Sequence, residues 1–140
     1  MELPDLDKIN TDDMPINKAK CIWQWRWHAI NPGKDKYDYK ASGGVTSPKN
    51  GCWACYVKAL KTNRTSLRSC LAHCPVTAWR SYGCMKWKSS YYKWHEAIIS
   101  DRPQDTTKYA LEILEQVLNS PDAGWVIGKE GDYHEATRGK

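Results

Sequence analysis

Five cysteines crowd into 33 residues of this 140-residue chain, in the order Cys52-x2-Cys55-x14-Cys70-x3-Cys74-Pro75-x8-Cys84. A tetrahedral zinc ion takes four ligands, and a Cys-x2-Cys knuckle lets two thiolates from one tight turn reach the same ion while a second pair arrives from elsewhere. Cys52 and Cys55 meet that requirement, and Cys70 and Cys74 follow at a separation close to that of four-cysteine zinc sites. Gly51 gives the backbone freedom before the knuckle, and Pro75 stiffens it after the second pair. The ligand set stays open, because Cys84 can replace Cys70 and His73 is also within reach. A cubane iron–sulfur cluster would take four thiolates just as well, and disulfides or buried thiols are the remaining readings. Cys21 stands apart from the cluster and reads as a small buried hydrophobe.

The compartment bears on that choice. The start Met1-Glu-Leu-Pro-Asp-Leu-Asp is acidic and has neither the cationic start nor the apolar run of a secretory signal. The chain is therefore expected in the cytoplasm, where thiols stay reduced and clustered cysteines more often hold metal than pair. A structural zinc site would then contribute folding free energy of order 10 kcal/mol. No stretch approaches the roughly 18 to 20 apolar residues of a membrane helix, so no membrane partner is expected.

Catalysis has less support. Cys70 and His73 are near in sequence, but a nucleophile and its base need a geometry that proximity does not supply. The zinc deaminase pattern of His-x-Glu followed by Pro-Cys-x-x-Cys is missing, as is His-Glu-x-x-His. A metal-dependent hydrolase or nuclease would need a carboxylate beside an open metal position. No Asp or Glu lies between Tyr39 and His95, although Glu96 or Asp101 could return in space. The metal reads as structural and the chain as no enzyme.

The length fits one domain. Residues 1–16 carry Glu2, Asp5, Asp7, Asp12 and Asp13 against Lys8 and read as an acidic flexible lead-in; residues 17–127 read as a single metal-binding domain, and 128–140 as a flexible tail. The run from Asn17 to Ile30 has two periodicities. Alternation would place Trp23, Trp25 and Trp27 on one face of a strand, whereas helical spacing aligns Ala19, Trp23, Trp27 and Ile30. Asn17 as a cap and Asn31-Pro32-Gly33 as a stop favour the helix. Residues 31–51, rich in glycine and proline, read as loop. A helix is expected over about 89–100, capped by Ser89 and turning Tyr91, Trp94 and Ile98 inward. A second is expected over about 105–119, capped by Asp105 or Thr106, with an apolar stripe of Tyr109, Ala110, Ile113, Leu114, Val117 and Leu118. The resulting fold class is a small, mostly helical α+β, zinc-knuckle-stabilised single domain.

The net charge of +5 is unevenly spread. Lys40, Lys49, Lys58, Lys61, Arg64, Arg68, Arg80, Lys86, Lys88 and Lys93 fill the acid-free segment, and a four-thiolate zinc site would offset only about two of those charges. The chain has no Phe but 8 Trp and 8 Tyr, so large rings with a polar handle must serve both core and surface. Cations interleaved with rings, as from Trp79-Arg80 to Lys93-Trp94, suit single-stranded nucleic acid: cations follow phosphates and rings stack on bases. The same composition serves a protein interface, where Trp, Tyr and Arg carry most of the energy. The binding face is expected to include Arg64, Arg68, Arg80, Lys86, Trp87, Lys88 and Lys93, with an acidic protein or a nucleic acid as partner.

The Trp-rich helix ending in Asn31-Pro32-Gly33-Lys34, the Cys52-Trp-Ala-Cys55 knuckle, the closing Cys74-Pro75, Cys84 and the Tyr91-Tyr92-Lys-Trp94 helix start together resemble short cysteine-rich proteins of tailed bacteriophages and prophages. The resemblance spans about residues 20 to 100 and departs at Cys70-x3-Cys74, where a two-residue spacer is expected. It implies a phage accessory protein working in the bacterial cytoplasm, of a family whose biochemical role is largely unassigned. Taken with the cysteine cluster and the basic aromatic face, the expected function is that of a non-enzymatic zinc-binding protein that modulates a host defence or gene-expression component. The resemblance supplies no catalytic residues.

Overall fold

The computed structural model describes residues 5–44, 53, 75–76 and 89–125. Within them lie four α-helices: α1 (Ile16–Ile30), α2 (Lys36–Ala41), α3 (Ser90–Ile99) and α4 (Pro103–Leu118). Single 3-10 turns at Leu6–Lys8 and Asp122–Trp125 flank them. No strand occurs among the described residues, so the expectation of an α+β fold is corrected to a helical one. Its zinc-knuckle element is corrected too: among the described residues, no three His, Cys, Asp or Glu side chains come together to hold an ion. The core of this part is built from indole and aliphatic packing. Cys52, Cys55, Cys70, Cys74 and Cys84 lie outside the described residues.

α4 has the clearest apolar period, and its stripe folds as expected. Ala110, Ile113, Leu114 and Val117 are fully buried, with Tyr109 and Leu118 packed at the edge. The helix starts earlier than the caps suggested, because Arg102 is the N-cap and Pro103 occupies the first turn, where its missing N–H costs nothing. Thr106 lies inside the helix instead, its hydroxyl donating to the Pro103 carbonyl and accepting from the Gly33 N–H at 2.8 Å. That bond ties the turn after α1 to α4.

α1 is helical, but from Ile16 and with Pro15 rather than Asn17 at its N-cap. The face toward α4 is Ala19, Ile22, Trp25 and Ala29, flanked by Cys21 and His28. Trp23 and Ile30, expected inward, are 38% and 54% exposed. Each fully buried aliphatic side chain adds about 1.5–3 kcal/mol. α1 and α3 both pack on α4, with Trp53, Val76 and Trp125 completing the core.

The stretch assigned to loop contains α2. Asp35 and Asp38 form a reciprocal capping box: the Asp35 carboxylate accepts from the Asp38 N–H, and the Asp38 carboxylate accepts from the Asp35 N–H, each at 2.9 Å. The helix ends with Gly43 at φ 96°, where the Gly43 N–H donates to the Lys40 carbonyl and the Gly44 N–H to that of Tyr39. α3 ends in the same double hydrogen-bond pattern, Asp101 to Ile98 and Arg102 to Ala97, but with Asp101 at φ 53° in the left-handed position. Its start is the expected one, with the Ser89 hydroxyl accepting from the Tyr92 N–H at 3.0 Å.

The acidic lead-in is more ordered than its charge suggested. Asp5 caps the first 3-10 turn, and Leu6, Ile9 and Met14 pack against the core, since apolar residues spaced between the acids give that segment a side to bury. None of the described helices is long and apolar enough to cross a membrane.

Candidate functional site

Of the residues assigned to a basic aromatic face, Arg64, Arg68, Arg80, Lys86, Trp87 and Lys88 lie outside the described residues, as does His73. Lys93 is described, on α3, with its ammonium 5.9 Å from the centre of the Tyr109 ring; Lys108 approaches the same ring at 5.3 Å. Two further ammonium groups sit over rings, Lys20 over Trp53 at 5.0 Å and Lys36 over Tyr91 at 4.5 Å. Contacts of this kind contribute about 0.5–1 kcal/mol where exposed, and they hold the long lysine side chains against the surface.

The pairing of Lys36 with Tyr91 closes one side of a cleft between α2 and α3, which has a volume of about 370 Å³. Asp35, Lys36 and Tyr37 form the α2 wall; Tyr91, Trp94, His95, Ile98 and Ile99 form the α3 wall. The Lys36 ammonium also donates to the Tyr91 hydroxyl. Tyr37 and Ile99 stand at the rim 83% and 65% exposed, so the mouth is apolar. The carboxylate of Asp35 is committed to the α2 cap. The cleft thus offers rings, aliphatic surface and a cation, which suits binding better than proton transfer.

Beneath it lies a cluster that the sequence reading did not single out. His28 is 1% exposed, with the rings of Trp25 and Trp94 at 4.9 Å, Trp27 at 5.2 Å and Tyr39 at 5.8 Å. Its Nδ1 lies 3.1 Å from the Lys34 carbonyl oxygen. A carbonyl only accepts, so Nδ1 carries the hydrogen and Nε2 presents a bare lone pair. That Nε2 is buried and has no hydrogen-bond partner among the described residues. Burial is the main cause that pushes the His28 pKa down to about 4; Lys36 lowers it further, while the Lys34 carbonyl and Asp38 oppose the shift. The usable signal in the sequence was the histidine itself, the only one in the Trp-rich helix and three residues after Trp25.

No family model, curated protein or solved structure matches this chain.

Proposed function

We propose that this chain is a non-enzymatic, zinc-binding accessory protein of a phage, which engages an acidic surface of a bacterial host protein in the cytoplasm and modulates a defence or gene-expression component. The observation that carries the reading is the distribution of charge: ten cations and no carboxylate between Tyr39 and His95, interleaved with tryptophan and tyrosine. Such a segment meets an anionic partner with cations for steering and rings for contact area. The ammonium groups of Lys20, Lys36, Lys93 and Lys108, already laid over rings, support it as further ring–cation pairs. Zinc belongs to the reading through the thiolate-rich donor set of Cys52, Cys55, Cys70, Cys74 and Cys84, from which four ligands would be drawn.

A second reading, sequence-tolerant binding of single-stranded nucleic acid, is favoured by the alternation from Trp79-Arg80 through Lys86-Trp87-Lys88 to Lys93-Trp94. Salt separates the two. Phosphate binding weakens along a steep log–log slope that flattens by about one when a contacting cation is removed, and an interface led by rings responds far less. The deciding experiment measures binding to a single-stranded oligonucleotide and to host proteins retained on the purified chain, at low and moderate salt, for the native protein and an Arg80→Ala/Lys86→Ala/Lys88→Ala variant. A host protein retained stoichiometrically at moderate salt, and lost by the variant, is the expected result. Oligonucleotide binding with a steep slope would replace it with the second reading, and no binding to either would end both. Metal content measured on the same preparations is expected to be one zinc per chain; none would remove zinc from the proposal.

A further inference from the structure

Two points of the chain outside the helix bundle are built into its core, and each stands beside a cysteine of the candidate zinc set. Trp53, which follows Cys52 directly, is 3% exposed, and Val76, two residues after Cys74, is fully buried. Both belong to the core cluster formed with α1, α3 and α4. Pro75, between Cys74 and Val76, is buried as well. Neighbouring Cα atoms stay within about 3.8 Å of each other, so burying Trp53 and Pro75 fixes where the chain leaves the core toward Cys52 and Cys74.

Both anchors meet the same end of the bundle. Lys20, in the second turn of α1, lays its ammonium over the Trp53 ring at 5.0 Å. Lys18, two residues earlier, bonds the Asp122 carboxylate at 2.7 Å, and Gly124 in the same 3-10 turn lies against Pro75, whose Cα would stand 3.4 Å from a Cβ added there. Trp125 ends that turn and is fully buried in the same core. The sequence between Trp53 and Val76 holds 22 residues, and the entropic penalty for closing a flexible loop of that length is a factor of about 100, its length to the three-halves power. Here hydrophobic burial at both ends supplies the closure. Lys20 adds a cation beside the knuckle, which favours thiolate over thiol.

We propose that Trp53 and Val76 are positioning residues for zinc: their burial brings Cys52 and Cys74 to one end of the bundle before the ion binds. The ligand set then takes a thiolate from each side of the segment, completed by Cys55 and one of Cys70, His73 or Cys84. The inference rests on the zinc of the proposed function and not on the partner class.

The test is zinc affinity by competition with a chromophoric chelator, together with the thiolate-to-metal charge-transfer band after cobalt(II) substitution, on the full chain and its variants. Trp53→Ala should weaken zinc binding by about 10- to 100-fold, the upper bound being the loop-closure factor, and Val76→Ala by less. Trp53→Phe keeps a buried ring and should restore most of the affinity. Ile113→Ala empties a fully buried site on α4 and costs the core at least as much as Val76→Ala, yet should leave the affinity within about twofold. Cys74→Ser should lower the cobalt band as Cys52→Ser does. Protection of the Ile113 to Val117 amides shows which variants stay folded, and if Trp53→Ala does not, Val76→Ala against Ile113→Ala decides. No zinc on the native chain would remove the zinc reading and this inference with it. Zinc held equally well by native protein, Trp53→Ala and Val76→Ala, a loss in Ile113→Ala as large as theirs, or a cobalt band unchanged by Cys74→Ser would each overturn the positioning role and leave the zinc reading standing.

Discussion

Lys18 is 3% exposed in the first turn of α1, and its ammonium reaches the C-terminal end of α4. Nζ donates to the Ser120 carbonyl at 2.7 Å, to the Asp122 carboxylate at 2.7 Å and, at 3.4 Å, to the Leu118 carbonyl. These acceptors lie at the C-terminus of α4, where the last carbonyls lack partners and the helix dipole is negative. Lys18→Met keeps most of the aliphatic stem and removes the charge. Two carbonyls then lose a charge-assisted bond worth about 1.5–3 kcal/mol at its strongest, and the long Leu118 contact counts for little of that. Asp122 is 46% exposed and recovers water, so its loss is small. Removing the cost of burying an ammonium offsets part of the sum. The net expectation is a destabilisation of about 2–4 kcal/mol. With a urea m-value of about 1.5 kcal/mol/M, that moves the tryptophan-fluorescence midpoint down by about 2 M. Asp122→Asn should cost about 1 kcal/mol or less, because its amide oxygen can still accept and the carbonyls remain. A Lys18→Met midpoint equal to or above that of the native protein would refute the reasoning and make the ammonium a net burden on the fold.

Acid should also lower global stability through His28. Because its folded pKa lies below the usual 6.5, the unfolded chain binds the extra proton first, so this stability is fully present above about pH 6.5 and is lost as pH falls toward about 4. The loss reaches at most about 3 kcal/mol; urea midpoints of native and His28→Asn protein across that range measure it. Asp101→Gly should stabilise by about 0.5–1 kcal/mol, since the left-handed position that ends α3 penalises a Cβ; thermal melts check it, and an unchanged or lower Tm counts against it. Gly44→Ala should destabilise by about 1–3 kcal/mol, because the new Cβ would stand 2.4 Å from the Tyr39 ring and push it off His28; a change under about 0.5 kcal/mol would show that Tyr39 moves freely.

The parts of this fold that were legible in sequence are those where one signal spoke alone. α4 showed an uninterrupted apolar stripe, and α3 a serine cap with Trp94 one turn on, and both folded accordingly. The face of α1 was misread because its buried side carries Lys18, Gln24 and His28, which break the apolar period, while its most conspicuous rings point elsewhere. At 100° per residue, Trp23 and Trp25 stand about 200° apart, so one helix cannot bury both against the same neighbour. α2 went unread because glycine and proline counts hid two specific devices, the Asp35–Asp38 box and Gly43 at the helix end. Of the assigned binding face, the described residues reach only Lys93, whereas the site they do show depends on a histidine whose meaning comes from burial.

Burial matters so much here because the chain uses no Phe. Each tryptophan brought into a core in place of phenylalanine carries an N–H that must find an acceptor or forfeit a hydrogen bond to water. Trp125 finds the Ser120 hydroxyl at 2.8 Å, and Trp23 finds the Thr11 hydroxyl at 3.2 Å. The Tyr91 hydroxyl accepts from the Lys36 ammonium. Trp94 does not: its buried N–H has no partner among the described residues, and neither has His28 Nε2 in the neighbouring ring. One is a donor and the other an acceptor, so the pair is unsatisfied in complementary senses. Both groups lie at the junction of α1, α2 and α3, whereas Gln24 Nε2 on α1 and Glu115 Oε2 on α4, also buried without a hydrogen bond among the described residues, lie away from the ring cluster.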